Sequence, residues 1–168
     1  METAVFDQTV KAAADREGKY LTFALAGEEY GIGILKVKEI IGLMPITTVP
    51  QTPGYVKGVI NLRGKVIPVA DFRLKFGIEA MAYNDRTCII VVEISGADRT
   101  ILMGIVVDSV SEVLNIKAAD IEDTPKFGNR LNTAFIRGMA KINGSVKILL
   151  DIDRVFREEE ITAVAQAS

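Results

Sequence analysis

What most constrains this fold is that the chain repeats itself. Gly31-Ile32-Gly33-Ile34-Leu35-Lys36-Val37-Lys38-Glu39-Ile40-Ile41 aligns without a gap on Gly104-Ile105-Val106-Val107-Asp108-Ser109-Val110-Ser111-Glu112-Val113-Leu114, at an offset of 73 residues. Four of the eleven positions are identical and three more exchange one apolar side chain for another. A second stretch, Gly58 to Asp71, aligns on Gly138 to Asp151 at an offset of 80, and continuing it sets Phe76 over Phe156. One such match could be chance between β-rich segments. Two in the same order point to duplication, and the change of offset places a longer connection in the second half, around Lys117 to Thr133.

Each unit reads as strands, because short β-branched runs alternate with Gly, Pro and Asp. The first unit offers Tyr20 to Leu25, Glu29 to Ile34, Lys38 to Leu43, Val59 to Leu62 and Val66 to Ala70. The second offers Cys88 to Ile94, Ile101 to Val107, Glu112 to Ile116, Ile136 to Ile142 and Val146 to Leu150. A unit of about 60 to 70 residues is too small for a sandwich with a full core but suits a small closed barrel, which also removes exposed strand edges. The expected fold is therefore all-β with short helices: two five-stranded barrels related by duplication and packed together. The first runs over about 19–77 and the second over about 86–157, each keeping its terminal strands or exchanging them with the other. Asp71 and Asp151 end strands and suit helix capping, as does Asp153. Phe76 and Phe156, in the short helical segments that follow, are expected to cover the barrel ends. Residues 1–18 read as a flexible arm, and 158–168, with its charged Glu158-Glu159-Glu160, as a flexible or helical tail.

Composition removes several functions. The sequence contains no histidine, which excludes Ser-His and Cys-His nucleophiles, imidazole proton transfer and His-ligated zinc. With 20 basic and 22 acidic residues interspersed, there is no cationic field for nucleic acid or anionic lipid. Apolar runs such as Ile101 to Val107 fall far short of the roughly 20 residues that cross a bilayer, and the start does not resemble a secretion signal. The single cysteine, Cys88, sits in an apolar run and suits a reducing compartment.

The remaining chemical candidates are weak. Gly31-Ile32-Gly33 lacks the third glycine and the helix of a nucleotide loop, and such glycines in a strand more often mark close packing. Asp151 with Asp153, or Asp120 with Glu122 and Asp123, could hold a hard cation, but caps and a solvated loop explain them better. A carboxylate-only enzyme is the weakest reading, and a small-ligand barrel a stronger one. Arg63 breaks its local rule: the repeat sets Arg63-Gly64 over Asn143-Gly144, and Asn-Gly is the stronger hairpin signal because both residues accept positive φ. Either Arg63 reaches a partner, or it pairs internally with Glu39 or Asp71. The excess of apolar side chains around Leu35-Lys36-Val37 and Ile105-Val106-Val107 either lines a groove between barrels or packs barrel on barrel.

At these residues the chain resembles the CheW chemotaxis coupling family. The likeness rests on Tyr30-Gly31-Ile32 through Ile40, Thr48-Val49-Pro50, Gly58-Val59-Ile60-Asn61-Leu62-Arg63-Gly64, Val66 to Arg73 and Val106-Val107-Asp108-Ser109-Val110. It runs from about Lys19 to Phe156. The resemblance implies SH3-like barrels, no catalytic residues, no cofactor and no metal. It implies an adaptor, monomeric when isolated, that binds the cytoplasmic helical tip of methyl-accepting chemoreceptors and the CheW-like regulatory domain of the histidine kinase CheA. It also implies a cytoplasmic protein recruited to membrane-associated receptor arrays without inserting in the membrane. Carried over residue by residue, Ile34, Val37, Glu39, Arg63, Val107 and Val110 are expected to bind the receptor, and Ile41, Leu43 and Gly58 the kinase.

Overall fold

The computed structural model describes residues 16–96, 99–125 and 134–156. The expected arm and tail lie outside the described residues, apart from 16–18, which are tied to the fold. Arg16 pairs with Asp123 at 2.7 Å, the Ala118 amide donates to the Glu17 carboxylate at 2.9 Å, and Gly18 opens the first strand. Among the described residues no helix is long and apolar enough to cross a membrane.

In chain order the elements are β1 (Gly18–Leu25), β2 (Glu28–Gly33), a 3-10 turn (Ile34–Lys36), β3 (Val37–Gly42), β4 (Val56–Leu62), β5 (Lys65–Asp71) and α1 (Phe72–Lys75). The second half follows with β6 (Cys88–Ser95), β7 (Thr100–Val107), β8 (Ser109–Ile116), a 3-10 turn (Ala118–Asp120), β9 (Ile121–Glu122), β10 (Ile136–Ile142), β11 (Ser145–Leu150) and α2 (Ile152–Val155). All ten expected strands are present. β9 was not expected: it lies in the long connection, where the charges of Asp120, Glu122 and Asp123 mask Ile121, which is buried and joins β10.

The strands form two sheets, ordered β8-β1-β2-β11-β10-β9 and β3-β6-β7-β5-β4. Each sheet draws on both halves of the chain. The first hairpin of one repeat, β1 and β2, pairs with the later strands of the other, and β6 and β7 do the same in return. The joins are parallel, with Gly31 opposite Leu149 in one sheet and Val69 opposite Gly104 in the other. Both sheets curl. In the five-stranded sheet, Ile41, Ile60, Ile67, Val69, Ile89, Val91, Leu102 and Val106 come from all five strands and meet in one cluster, which a flat sheet cannot arrange. In the six-stranded sheet Tyr20, Ile116, Ile121, Ala140 and Leu149, from five of its six strands, meet in a second cluster. Gly31 belongs to this packing, since a Cβ there would lie 3.0 Å from Leu149.

The largest core lies between the two barrels. It takes Leu21, Phe23 and Leu25 from β1, Ile90, Val92 and Ile94 from β6, and Met103, Ile105 and Val107 from β7. Strands covered on both faces need continuous apolar runs instead of alternation, so the apolar excess around Val107 packs barrel on barrel. Phe76 and Phe156 correct the expectation that they cover barrel ends, because both sit in this shared core. There Phe156 packs on Tyr55 with ring centroids 5.7 Å apart, and Phe76 stacks on Phe135 at 5.5 Å. The two contacts are copies of one another, since Tyr55 and Phe135 are equivalent at the offset of 80.

The expected caps behave alike in both repeats. Asp71 accepts from the Arg73 amide at 2.9 Å and Asp151 from the Asp153 amide at 3.1 Å, so Asp151 is the cap of α2 and Asp153 is free for other work. Asp71 is buried, and its second oxygen accepts from the Tyr83 hydroxyl at 2.8 Å. Burial and that hydrogen bond raise the Tyr83 pKa.

Arg73 forms a two-pronged pair with Asp108, Nε to Oδ1 at 2.7 Å and Nη2 to Oδ2 at 2.6 Å, and Asp108 also accepts from the Ala26 amide at 2.8 Å. The Arg73 hydrogen bonds hold the Asp108 carboxyl below its ordinary value of 3.8, against the opposing effect of burial. With the folded pKa below the unfolded one, the contribution is complete above the unfolded value and is lost as pH falls through the folded one. Asp108→Asn is therefore expected to lower stability at neutral pH by about 2 kcal/mol. Its deficit against the parent should shrink as the pH is taken below 3.8. Denaturant titrations at neutral and acid pH check both points, and a deficit that persists in acid would remove the pair as its cause.

Candidate partner-binding surface

The β4–β5 hairpin turns on two residues, both left-handed, with Arg63 at φ 52° and Gly64 at φ 85°. Asn143 and Gly144 turn β10 into β11 at φ 50° and 81°. Arginine is tolerated because the Asn61 side chain accepts from the Gly64 amide at 2.9 Å and holds the turn in place of a turn asparagine. The Arg63 side chain is 70% exposed and reaches across the sheet to β3, where Nη1 donates to Glu39 Oε1 at 2.8 Å and Nη2 to Oε2. Those hydrogen bonds lower the Glu39 pKa and raise that of Arg63. Of the two internal partners open to Arg63, Glu39 is the one used, while Asp71 is occupied by its cap and by Tyr83.

This bridge crosses the open end of the five-stranded barrel, beside a groove of about 870 Å³. Leu62, Ile67, Val91 and Leu102 are among its apolar lining, and Lys38, Glu39, Arg63, Lys65 and Glu93 supply its charges. Lys38 and Glu93 pair at 3.1 Å. A surface with an apolar bed and interspersed charges suits a protein helix better than a small ligand, which needs polar groups converging in an enclosed cavity.

The expected receptor residues divide. Glu39 and Arg63 share this groove. Ile34, Val37 and Val110 are half-buried along the seam, packed against the core between the barrels. Val107 must be corrected: it is 1% exposed, inside that core, because it faces the same side of β7 as Met103 and Ile105. Of the expected kinase residues, Ile41 is half-buried against the barrel interior and Leu43 is 39% exposed. Gly58 is also corrected. It is buried, and it is glycine because a Cβ at its φ of 143° would lie 2.0 Å from the Thr47 carbonyl oxygen.

Lys65, Glu93, Thr100 and Leu102 join the groove without having been expected. They lie far apart in sequence, and no local pattern shows that β5, β6 and β7 are neighbours. Leu35 had a signal, the broken alternation of Leu35-Lys36-Val37, and it stands 90% exposed on the 3-10 turn.

Comparison with known proteins converges on one family. The family model described as the CheW-like domain matches residues 19–160. Chemotaxis protein CheW of Klebsiella aerogenes is 39% identical over 155 residues, which cover 92% of this chain and 91% of that protein. Chemotaxis protein CheW of Rhizobium meliloti is 36% identical over 140 residues, covering 83% and 88% respectively. The crystal structure of the scaffolding protein TtCheW from Thermoanaerobacter tengcongensis superposes with a TM-score of 0.74 at 37% identity, covering 86% of this chain and 95% of that one.

Proposed function

The chain belongs to the CheW-like family, and from that premise we propose that it is a non-enzymatic chemotaxis adaptor coupling methyl-accepting chemoreceptors to the histidine kinase CheA. The observation that carries this reading is the family match over residues 19–160, nearly all of the described fold. In this reading the protein works in the cytoplasm at membrane-associated receptor arrays and is a monomer when isolated. Its partners are the helical signalling tip of the receptor and the CheW-like regulatory domain of the kinase. The receptor helix lies along the seam and the adjoining groove, against Ile34, Val37, Val110 and the Glu39–Arg63 pair. Ile41 and Leu43 border the kinase contact. Val107 and Gly58, both buried, act only through the packing they allow.

Binding of the purified chain to a receptor signalling-tip fragment and to the CheA regulatory domain tests the reading directly. Absence of both would overturn it. Arg63→Asn refines it: asparagine accepts the left-handed turn, as Asn143 does at φ 50°, so the melting temperature should stay within a few degrees of the parent. Receptor affinity should fall on the order of ten- to a hundredfold, the usual loss for an arginine anchor in an interface. A lower melting temperature with undiminished affinity in the folded fraction would make Arg63 a structural residue.

A further inference from the structure

Duplication leaves each barrel with a mouth beside its last hairpin turn, and the two mouths have opposite polarity. The shared core draws equivalent residues from both repeats, Ile32 with Ile105 at the offset of 73 and Ala70 with Leu150 at 80, so both barrels turn the same face to it. Gly33 and Val106 are equivalent at 73, and their partners Tyr20 and Ile89 set the first strands of the two hairpins at an offset of 69. Thr22 is thereby the counterpart of Val91, as Glu29 is of Leu102 and Lys147 of Ile67.

Val91, Ile67 and Leu102 form the apolar bed of the groove at the first mouth. At the second mouth all three positions are polar. Lys147 lies 3.9 Å from Glu29, whose carboxylate accepts from the Ser111 hydroxyl at 2.9 Å. Thr22, fully buried, donates to the Glu112 carbonyl at 2.8 Å and accepts from the Glu112 amide at 3.2 Å. The rim changes in the opposite sense, since Lys38, Arg63, Lys65 and Glu93 around the first mouth become Ser111, Asn143, Ser145 and Ala24 around the second. Deeper in the barrels the counterparts stay apolar: Ile60, Val69 and Ile89 in one, Ala140, Leu149 and Tyr20 in the other. The switch is confined to the mouth.

The seam cannot choose between the mouths. Val37 and Val110 are equivalent at the offset of 73 and both line it against the shared core, so a helix on the seam has two ways to lie, toward the first barrel or toward the second. We propose that Thr22, Glu29 and Lys147 bar the receptor helix from the second mouth, so that it extends from the seam over the first barrel only. The inference rests on the receptor-binding reading above and adds the side on which the helix lies. An apolar bed inside a polar rim accepts the apolar face of a helix. Over the second mouth that face would strip the remaining water from Lys147 and Glu29, whose side chains are 14% and 34% exposed, and would return no polar partner.

The test gives the second mouth the bed of the first. Glu29→Leu/Lys147→Ile places there the side chains found at 102 and 67. The parent and the double variant, with labelled methyl groups, are titrated with a receptor signalling-tip fragment. Leu62 and Leu102 report on the first mouth, and Leu114 and Ile142, half-buried in the second barrel, on the second. In the parent the tip should shift Leu62 and Leu102 and leave Leu114 and Ile142 in place. In the double variant it should shift both pairs. A folded double variant in which Leu114 and Ile142 still do not move would overturn the inference, as would a parent that binds the tip with both pairs moving or with neither. A parent that binds no tip would instead remove the receptor reading itself, and this inference with it. Should the double variant not fold, Glu29→Gln/Lys147→Met removes both charges at nearly constant side-chain length and is read by the same outcomes.

Discussion

Cut between Met81 and Ala82, the chain is expected to yield two fragments that are each unfolded alone and that regain the native fold when mixed. The first would carry β1 to β5 and the second β6 to β11. Neither sheet can be assembled from one fragment as it stands in the protein, because β1 and β2 need β8 and β11 beside them and β5 needs β7. The shared core is divided as well: Leu21, Phe23, Leu25, Ile32, Ala70 and Phe72 come from the first fragment, and Ile90, Val92, Met103, Ile105, Leu150 and Phe156 from the second. Each fully buried side chain of this kind is worth about 1.5 to 3 kcal/mol, and a domain's net stability is only about 5 to 15 kcal/mol. Exposing half of such a core therefore removes the whole margin. Far-UV circular dichroism and thermal melts of each fragment and of their mixture read the result. A cooperative transition in either fragment alone would mean that one repeat closes a barrel by itself. The cut falls between the elements, and the contacts nearest it, from Arg73 to the Glu79 carbonyl and from Tyr83 to Asp71, lie within one fragment or tie the two together.

The duplication, the ten long strands and the two helix caps were legible in the residues because each depends on local chemistry. Alternation, β-branching and turn residues report the period of a segment and where it ends. They do not report which strand lies beside which. For that reason the complete exchange of first hairpins was beyond the pattern, and so was the groove wall formed by Lys65, Glu93 and Leu102. Val107 failed for a related reason. A strand covered on both faces has no polar side to orient it, so nothing in Ile105-Val106-Val107 tells the barrel interior, which takes Val106, from the seam, which takes Val107. β9 failed because two residues between acidic neighbours carry almost no pattern. Arg63 was found because it violates a turn preference, and its partner Glu39, on the strand at the opposite edge of the sheet, was among the alternatives.

Among the described glycines, Gly58→Ala is expected to be the most damaging substitution. The glycine sits at φ 143°, a conformation side chains rarely adopt, and its Cβ would lie 2.0 Å from the Thr47 carbonyl oxygen, 2.7 Å from the carbonyl carbon and 3.0 Å from the Thr48 Cα. All three are backbone atoms and cannot rotate away. That segment is held against β4 by two hydrogen bonds, Thr47 amide to Val59 carbonyl and Val59 amide to Thr47 carbonyl, both 2.8 Å. To admit the methyl both must stretch or break. Overpacking costs about 1 to 3 kcal/mol and each lost hydrogen bond about 1 kcal/mol, so the loss should reach roughly 3 to 5 kcal/mol and lower the melting temperature by about 10 °C or more. Gly64→Ala is the control, since φ there is also positive, at 85°, but nothing lies within 4 Å of the added Cβ. Its cost should be limited to backbone strain of about 1 to 2 kcal/mol. Equal losses in the two variants would mean that conformation alone explains Gly58 and that the approach of Thr47 is unimportant. A normal melt for Gly58→Ala with reduced kinase binding would instead return Gly58 to the partner surface.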